Sequence, residues 1–91
     1  MTPAGKLQGQ WALVTGGGHG LGLVFARAFA AQGANLFLMS RNLPELEGAC
    51  ETIGREFGVS CLPRYIDITC EESVEEAAGF VMESAGRLDV L

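Results

Sequence analysis

The chain is poor in basic side chains, which bounds what it can bind. Its 91 residues include six basic ones, of which only Lys6 is a lysine, against eleven acids, and the net charge is −5. Nucleic-acid surfaces are built from clustered Lys and Arg, so we expect no nucleic-acid partner. No long uncharged apolar span and no signal-like segment is present, so we expect no membrane partner and a cytoplasmic protein.

Metal-binding and disulfide patterns are also missing. The three cysteines, Cys50, Cys61 and Cys70, are odd in number and form no C-x-x-C pair, and there is one histidine. This predicts no metal site and no disulfide framework. Cys50 falls on an apolar helix face and Cys61 within a strand pattern, so both are predicted to be small buried hydrophobic residues.

Most of the acids are glutamates of the second and third helix patterns, and we interpret them as solvated helix faces. They are Glu45, Glu47, Glu51, Glu56, Glu71, Glu72, Glu75, Glu76 and Glu83.

A glycine-rich turn is the most informative segment that is present. Residues 15–22 read Thr-Gly-Gly-Gly-His-Gly-Leu-Gly, between an apolar run at 11–14 and an apolar helix pattern from Leu21 to Gln32. A strand, a glycine turn and a helix N-terminus together form an anion site, because the first helical N–H groups have no acceptor within the helix. The pattern therefore predicts that backbone at this turn contacts a phosphate group.

The spacing of the glycines shows which known phosphate-binding motif the turn matches. G-x-G-x-x-G fails because its third glycine would fall at Leu21, and a P-loop fails because no lysine follows the glycines. The pattern T-G-x-x-x-G-x-G is met by Thr15, Gly16, Gly20 and Gly22. With Gly33-Ala34-Asn35, Ser40-Arg41, Asp67-Ile68-Thr69 and Leu88-Asp89-Val90-Leu91 following in order, the chain resembles the short-chain dehydrogenases/reductases from about Leu7 onward.

Periodicity predicts alternating strands and helices. The expected strands are at 10–15, 35–40 and 60–66, with a fourth from Leu88. The first expected helix is at 21–32, and the second runs from near Pro44 to Gly58, with either Asn42 or Leu43 as its N-cap. The third runs from a Thr69-x-x-Glu72 capping box to Gly86. Residues 1–9 are expected to be a flexible leader, and 10–91 the N-terminal part of one NAD(P)-binding domain. Pro63 predicts that the third strand lies at a sheet edge.

The fold class follows from this alternation. We expect an α/β, Rossmann-like three-layer αβα fold with an incomplete parallel sheet. The resemblance implies the strand order 3-2-1-4.

The residues after the second strand predict the cofactor. An acid at this place takes the ribose hydroxyls of NAD, but here the residues are Ser40, Arg41 and Asn42. The Arg41 guanidinium can bind a 2′-phosphate with two hydrogen bonds, and Ser40 and Asn42 can add neutral ones. We therefore predict NADP(H) rather than NAD(H). The alternative is that Arg41 is only a solvated residue at a strand end.

We predict that the turn supplies the remaining cofactor contacts, through Gly16, Gly18, His19, Gly20 and Leu21. His19 either donates to a phosphate oxygen or is a turn residue that tolerates an unusual backbone angle. The sequence leaves both interpretations open.

Asp67 and Ile68 follow the third strand. The resemblance implies that Asp67 accepts a hydrogen bond from the adenine amino group and that Ile68 backbone lies beside the ring. Asp67 could instead start a turn before Thr69.

The catalytic signature of the family, a serine followed by Tyr-x-x-x-Lys, is not in the chain, since Tyr65 is the only tyrosine and position 69 is Thr69. We therefore predict no catalytic residue. The resemblance implies the cofactor-binding half of an oxidoreductase that interconverts a ketone and a secondary alcohol, with the substrate bound only by a complete protein.

One alternative is a non-enzymatic nucleotide-binding module that pairs with a full-length relative. Another Rossmann-type protein, such as a methyltransferase, is disfavoured by Ser40-Arg41. Self-association through uncovered apolar sheet surface is also expected.

Overall fold

The computed structural model describes residues 7–16 and 18–89. Strands and helices alternate along the chain as predicted, and the bounds agree to within a few residues. The elements are β1 (Trp11–Thr15), α1 (Gly20–Ala31), β2 (Asn35–Ser40), α2 (Leu43–Phe57), β3 (Cys61–Tyr65) and α3 (Glu71–Ser84).

The three strands form one parallel sheet in the order β1-β2-β3, so the predicted α/β class and the order of these strands are confirmed. β2 lies in the middle, with Phe37 opposite Leu13 on one side and Leu62 on the other. Its core, residues 36–39, is fully buried, as expected for a parallel strand covered on both faces. β3 lies at the edge of this sheet, as predicted from Pro63. Proline has no backbone N–H, and an edge strand has no second neighbouring strand to which that N–H would have to donate.

Side-chain alternation along β2 separates two core clusters, because successive residues of a strand point to opposite faces. On one face, Leu36 and Leu38 pack with α1 and α2. On the other face, Phe37 and Met39 pack with Val81 of α3 and its neighbours. The sheet is therefore the middle of three layers.

Helix α2 begins and ends where its sequence predicts. Asn42 is the N-cap, and its side-chain oxygen accepts a hydrogen bond from the Glu45 N–H at 3.2 Å. Pro44 lies in the first turn. Gly58 ends the helix in the left-handed conformation, with a φ of 70° that favours glycine.

The start of α3 differs from the prediction. The N-cap is Cys70, and it makes no side-chain capping bond. The Thr69 hydroxyl and N–H instead both donate to Asp67 Oδ1, at 2.6 and 3.0 Å. The capping box predicted for Thr69 and Glu72 is therefore wrong, because a nearer carboxylate holds the threonine.

The first described residues contact the end of α1, and the last contact β1. Of the predicted leader, residues 1–6 lie outside the described residues, whereas the Leu7 N–H donates to the Gln32 carbonyl at 2.9 Å. The predicted fourth strand falls partly on residues 90–91, which also lie outside. Asp89 bonds to Trp11 twice, through its N–H and through Oδ2, both at 2.9 Å. The chain thus returns to the free edge of β1.

Helix length and apolarity bear on membrane insertion. Within residues 7–16 and 18–89, no helix has the length and apolar character needed to cross a bilayer.

Candidate nucleotide-binding site

A cleft of about 440 Å³ opens at the carboxyl ends of the three strands. Ligands of open α/β sheets bind at this edge, because the loops that leave the strands diverge there. The cleft is lined by Thr15, Gly16, Met39, Ser40, Arg41, Ile66, Asp67, Ile68 and Thr69. Five of the predicted site residues, from three separate parts of the chain, are thus brought together.

The glycine turn between β1 and α1 has left-handed backbone at two of its described glycines. Gly16 and Gly20 have φ values of 68° and 59°, which side-chain-bearing residues rarely adopt. The Gly16 N–H bonds to the Met39 carbonyl at 2.7 Å and so anchors the start of the turn to β2. At its other end, α1 has no side-chain cap and no acid in its first turn. Its first N–H groups are consequently available to an anion.

His19 and Gly18 face α2 and not the cleft. His19 Nδ1 lies 2.8 Å from Glu45 Oε1, and a side-chain carbon on Gly18 would lie 2.6 Å from the same oxygen. The His19 backbone is extended, with a φ of −160°, so the interpretation of His19 as a residue in an unusual backbone angle is wrong. Glu45 is only 34% exposed. For Glu45, the solvated-face interpretation is wrong. Helix periodicity shows which residues share a helix face, but it cannot show that the loop residue His19, 26 positions earlier, packs against that face.

The residues after β2 divide their hydrogen-bonding groups between the fold and solvent. Ser40 Oγ accepts from the Asn42 N–H at 3.1 Å, and the Asn42 oxygen caps α2. The hydroxyl proton of Ser40 and the amide protons of Asn42 remain as donors. Within residues 7–16 and 18–89, the Arg41 guanidinium has neither a hydrogen bond nor an ion pair.

Asp67 forms a turn with Thr69, as one of the two sequence interpretations expected. The two hydrogen bonds from Thr69 hold the pKa of the Asp67 carboxyl below its usual range, and the positive charge of Arg41 adds to this effect. Both bonds end on Oδ1, so the turn does not occupy the second oxygen. Ile68 follows with a side chain that is 72% exposed at the cleft.

The remaining predicted residues lie outside the cleft wall. Leu21 is 68% exposed and lines a second, larger cavity with Phe25 and Phe29 on the other side of the turn. Asn42 and Gly20 do not line the cleft, although Gly20 starts α1 beside it. The structure therefore gathers the strand-end residues, while the loop residues form a separate contact with α2.

A three-layer parallel sheet with a glycine turn and an open carboxyl edge defines a Rossmann-type dinucleotide-binding fold. The sequence profile of the short chain dehydrogenase family matches residues 10–91. The chain belongs to this family of oxidoreductases, and the resemblance seen in its sequence is confirmed.

Two curated relatives illustrate the match. The chain is 40% identical over 93 residues to a 12alpha-hydroxysteroid dehydrogenase of a Clostridium species, covering 96% of this chain and 36% of that protein. It is 39% identical over 85 residues to the bovine (Bos taurus) 3-hydroxyacyl-CoA dehydrogenase type-2, covering 93% and 31%. The chain thus spans about a third of the length of the curated relatives it matches.

Solved structures show the same fold. L-sorbose reductase from Gluconobacter frateurii, complexed with NADPH and L-sorbose, superposes with a TM-score of 0.89 at 32% identity, covering 92% of this chain and 32% of that one. An alcohol dehydrogenase from the archaeon Thermococcus sibiricus, complexed with 5-hydroxy-NADP, gives 0.86 at 35% identity, covering 89% and 35%.

Proposed function

We propose that this chain is the NADP(H)-binding part of a short-chain oxidoreductase that interconverts a ketone and a secondary alcohol by hydride transfer. The observation that carries the proposal is the Arg41 guanidinium, which lines the strand-end cleft and has neither a hydrogen bond nor an ion pair within the described residues. A guanidinium whose N–H groups are not already hydrogen-bonded can bind the 2′-phosphate that distinguishes NADP from NAD. The NADPH complex of L-sorbose reductase supports the same cofactor class.

The phosphate-binding groups fit the dinucleotide. The first N–H groups of α1 have no side-chain cap, and the first turn of this helix contains no acid, so these groups can donate to the pyrophosphate. Asn42 and Ser40 keep N–H and O–H donors beside Arg41. The start of α1 would bind the pyrophosphate, and the residues around Arg41 would bind the 2′-phosphate of the adenosine half.

The adenine ring fits the far side of the cleft. Asp67 is ionised and keeps Oδ2 outside its turn with Thr69, so this oxygen can accept from the adenine amino group. The exposed Ile68 side chain offers an apolar surface next to it. The turn and the adenine contact are therefore compatible functions of one carboxylate.

The bound cofactor would supply the hydride, and this chain would bind and orient its adenosine end. We assign the acid/base chemistry and the carbonyl substrate to the rest of a longer protein. The family uses Tyr-x-x-x-Lys for this chemistry, but here Tyr65 ends β3 and the residue four positions later is Thr69, not lysine. We place the protein in the cytoplasm, which its three free thiols support.

The proposal is tested by titration with two matched ligand pairs. NADP⁺ is compared with NAD⁺, and 2′,5′-ADP with 5′-AMP, by calorimetry on wild type and Arg41→Ala. We expect the 2′-phosphorylated ligand of each pair to bind more tightly. Arg41→Ala should weaken that ligand by about 10- to 100-fold, as lost hydrogen bonds to a charged group do, and leave the other nearly unchanged.

Arg55→Ala is the matched control, because Arg55 is an exposed arginine near the end of α2 that pairs with Glu51 and does not line the cleft. It should change neither preference. Equal affinity of wild type for both members of each pair would contradict the assignment of Arg41, as would an equal loss for both in Arg41→Ala.

A further inference from the structure

Two of the three cysteines lie against each other in the core between α2 and β3. The Sγ atoms of Cys50 and Cys61 are 3.0 Å apart, and both residues are free thiols. A disulfide bond joins sulfur atoms about 2.05 Å apart, so an approach of about 1 Å separates this contact from a covalent bond. The third cysteine, Cys70, is exposed at the start of α3.

The fold explains why the two sulfurs meet. Cys50 lies on the buried face of α2, with Leu46 one turn before it and Ile53 one turn after it. Gly58 ends the helix in the left-handed conformation and lets the chain turn back. Cys61 then begins β3 directly beneath that helix face. The eleven-residue separation is therefore set by the helix end and its short connection to the strand.

The two thiols are chemically unequal. The Cys61 S–H donates to the Cys50 sulfur, which lowers the pKa of Cys50 and raises that of Cys61, while burial raises both. Cys50 is thus the thiol that ionises first, and the thiolate is the nucleophile in thiol oxidation. Cys50 is 5% exposed, whereas Cys61 is only partly covered, so the pair is reached from the side of Cys61.

We propose that Cys50 and Cys61 are an oxidative modification site that hydrogen peroxide converts to an intramolecular disulfide. The Cys50 thiolate attacks one peroxide oxygen, the O–O bond breaks, and a sulfenic acid forms while the second oxygen leaves as water after protonation. The Cys61 sulfur then attacks the Cys50 sulfur, its proton passes to the departing oxygen, and a second water leaves. Two thiols are oxidised by two electrons in total, and one peroxide is reduced to two waters.

The position of this site separates it from the cleft. Cys61 is the first residue of β3, whereas Asp67 follows the last, so the disulfide would form at the amino end of the strand. At about 3.3 Å per strand residue, the two ends of β3 are roughly 13 Å apart. The bond would tie α2 to the edge strand without entering the strand-end cleft.

Peptide mapping tests the proposal directly. The folded chain is treated with a modest excess of hydrogen peroxide, alkylated and digested with trypsin, which separates Cys50 (peptide 42–55), Cys61 (56–64) and Cys70 (65–87). We expect peptides 42–55 and 56–64 to become linked, with a mass loss of about 2 Da for the two hydrogens removed. Dithiothreitol should release both peptides.

Three variants and an unfolded reference make the outcome decisive. Cys70→Ala should leave the link unchanged, while Cys50→Ala and Cys61→Ala should each abolish it. In guanidinium, oxidation should instead give a mixture of the three possible cysteine pairs, because the fold no longer selects one pair. The proposal is overturned if the folded chain keeps both thiols at a peroxide concentration that links the unfolded chain, or if peptide 65–87 is linked as often as the other two.

Discussion

His19 and Glu45 join the glycine turn to the first turn of α2. His19 Nδ1 lies 2.8 Å from Glu45 Oε1, and the Glu45 N–H donates to the Asn42 side chain at 3.2 Å. Glu45 is therefore held through both its backbone and its carboxylate. Consequently, a negative charge lies beside the turn at which we propose that cofactor phosphates bind.

This relationship predicts that Glu45 weakens the binding of phosphorylated ligands. Glu45→Gln keeps the shape of the side chain and removes its charge, so we expect NADP⁺ to bind about 2- to 5-fold more tightly, the range of a partly exposed charge interaction. NAD⁺ should gain less, because it carries no 2′-phosphate. Calorimetric titration at low and high salt checks this, and the gain should shrink at high salt, where exposed charges are screened.

The control is Glu47→Gln, which makes the same change on the same helix. Glu47 lines a different cavity, formed by residues of α2, β3 and the start of α3, and within the described residues no hydrogen bond or ion pair joins it to the turn. It should alter the affinity little. Weaker binding in Glu45→Gln would contradict the prediction and would show that the carboxylate holds His19 in a binding orientation.

Asn42 has a structural and a proposed ligand-binding function, and two substitutions separate them. Asn42→Ala removes the cap of α2 and should lower the free energy of unfolding by about 1 kcal/mol. Asn42→Asp keeps a capping oxygen and should retain the stability, but it places a negative charge next to Arg41 and should weaken NADP⁺ binding. Urea denaturation and NADP⁺ titration of both variants check this. Equal NADP⁺ affinity of wild type and Asn42→Asp would contradict the proposed position of the 2′-phosphate.

The parts of the fold that were predictable from sequence are those governed by nearby residues. The apolar run of β2, the Asn42 and Pro44 start of α2 and the left-handed Gly58 each follow from a residue's own backbone and hydrogen-bonding preferences. Pro63 indicated an edge strand for the same reason. The order of the strands, by contrast, came from the family resemblance.

The parts that escaped prediction depend on contacts between distant residues or on competing partners. Thr69 satisfies every sequence rule for a capping box, yet Asp67 is two residues away and takes its hydroxyl. His19 with Glu45, and Cys50 with Cys61, meet only because the sheet brings their elements together. Periodicity assigned Glu45 and Cys50 to helix faces, but it could not name their partners.

Asp89 predicts a pH dependence of stability. Its carboxylate accepts hydrogen bonds from Arg87 and from the Trp11 N–H, and these lower its pKa in the folded chain. A lowered folded-state pKa contributes stability above the unfolded value of about 4, and that contribution is lost as the pH falls through the folded-state pKa. Asp89→Asn should therefore melt below wild type at pH 7, and the two melting temperatures should converge at acid pH.

The Arg87→Gln background is the control for this pH dependence, because Arg87 is the largest cause of the shift. There, Asp89→Asn should show a smaller pH-dependent difference, with the remainder due to Trp11. Thermal melts followed by circular dichroism from pH 7 to 2 supply the data. A difference between wild type and Asp89→Asn that stays constant across this range would mean that the substitution acts through packing, not charge.

An exposed apolar stripe on α1 predicts association of the chain. Leu21, Val24 and Phe25 lie three and four positions apart, so they share one helix face, and they are 68%, 60% and 50% exposed. Contiguous apolar surface of this kind favours contact with another apolar surface. We expect wild type to self-associate with rising concentration and Val24→Glu to shift it towards monomer, as measured by sedimentation velocity over a concentration series.

Met82→Glu separates the stripe from apolar exposure in general. Met82 is also 60% exposed, but it lies on α3, on the opposite face of the sheet from α1. Both substitutions add one negative charge to an already acidic chain, so a general effect of charge repulsion would act on the two variants alike. If only Val24→Glu lowers the average mass, the α1 stripe is the contact surface. If both variants lower it equally, or if wild type is monomeric at every concentration, the stripe does not drive association.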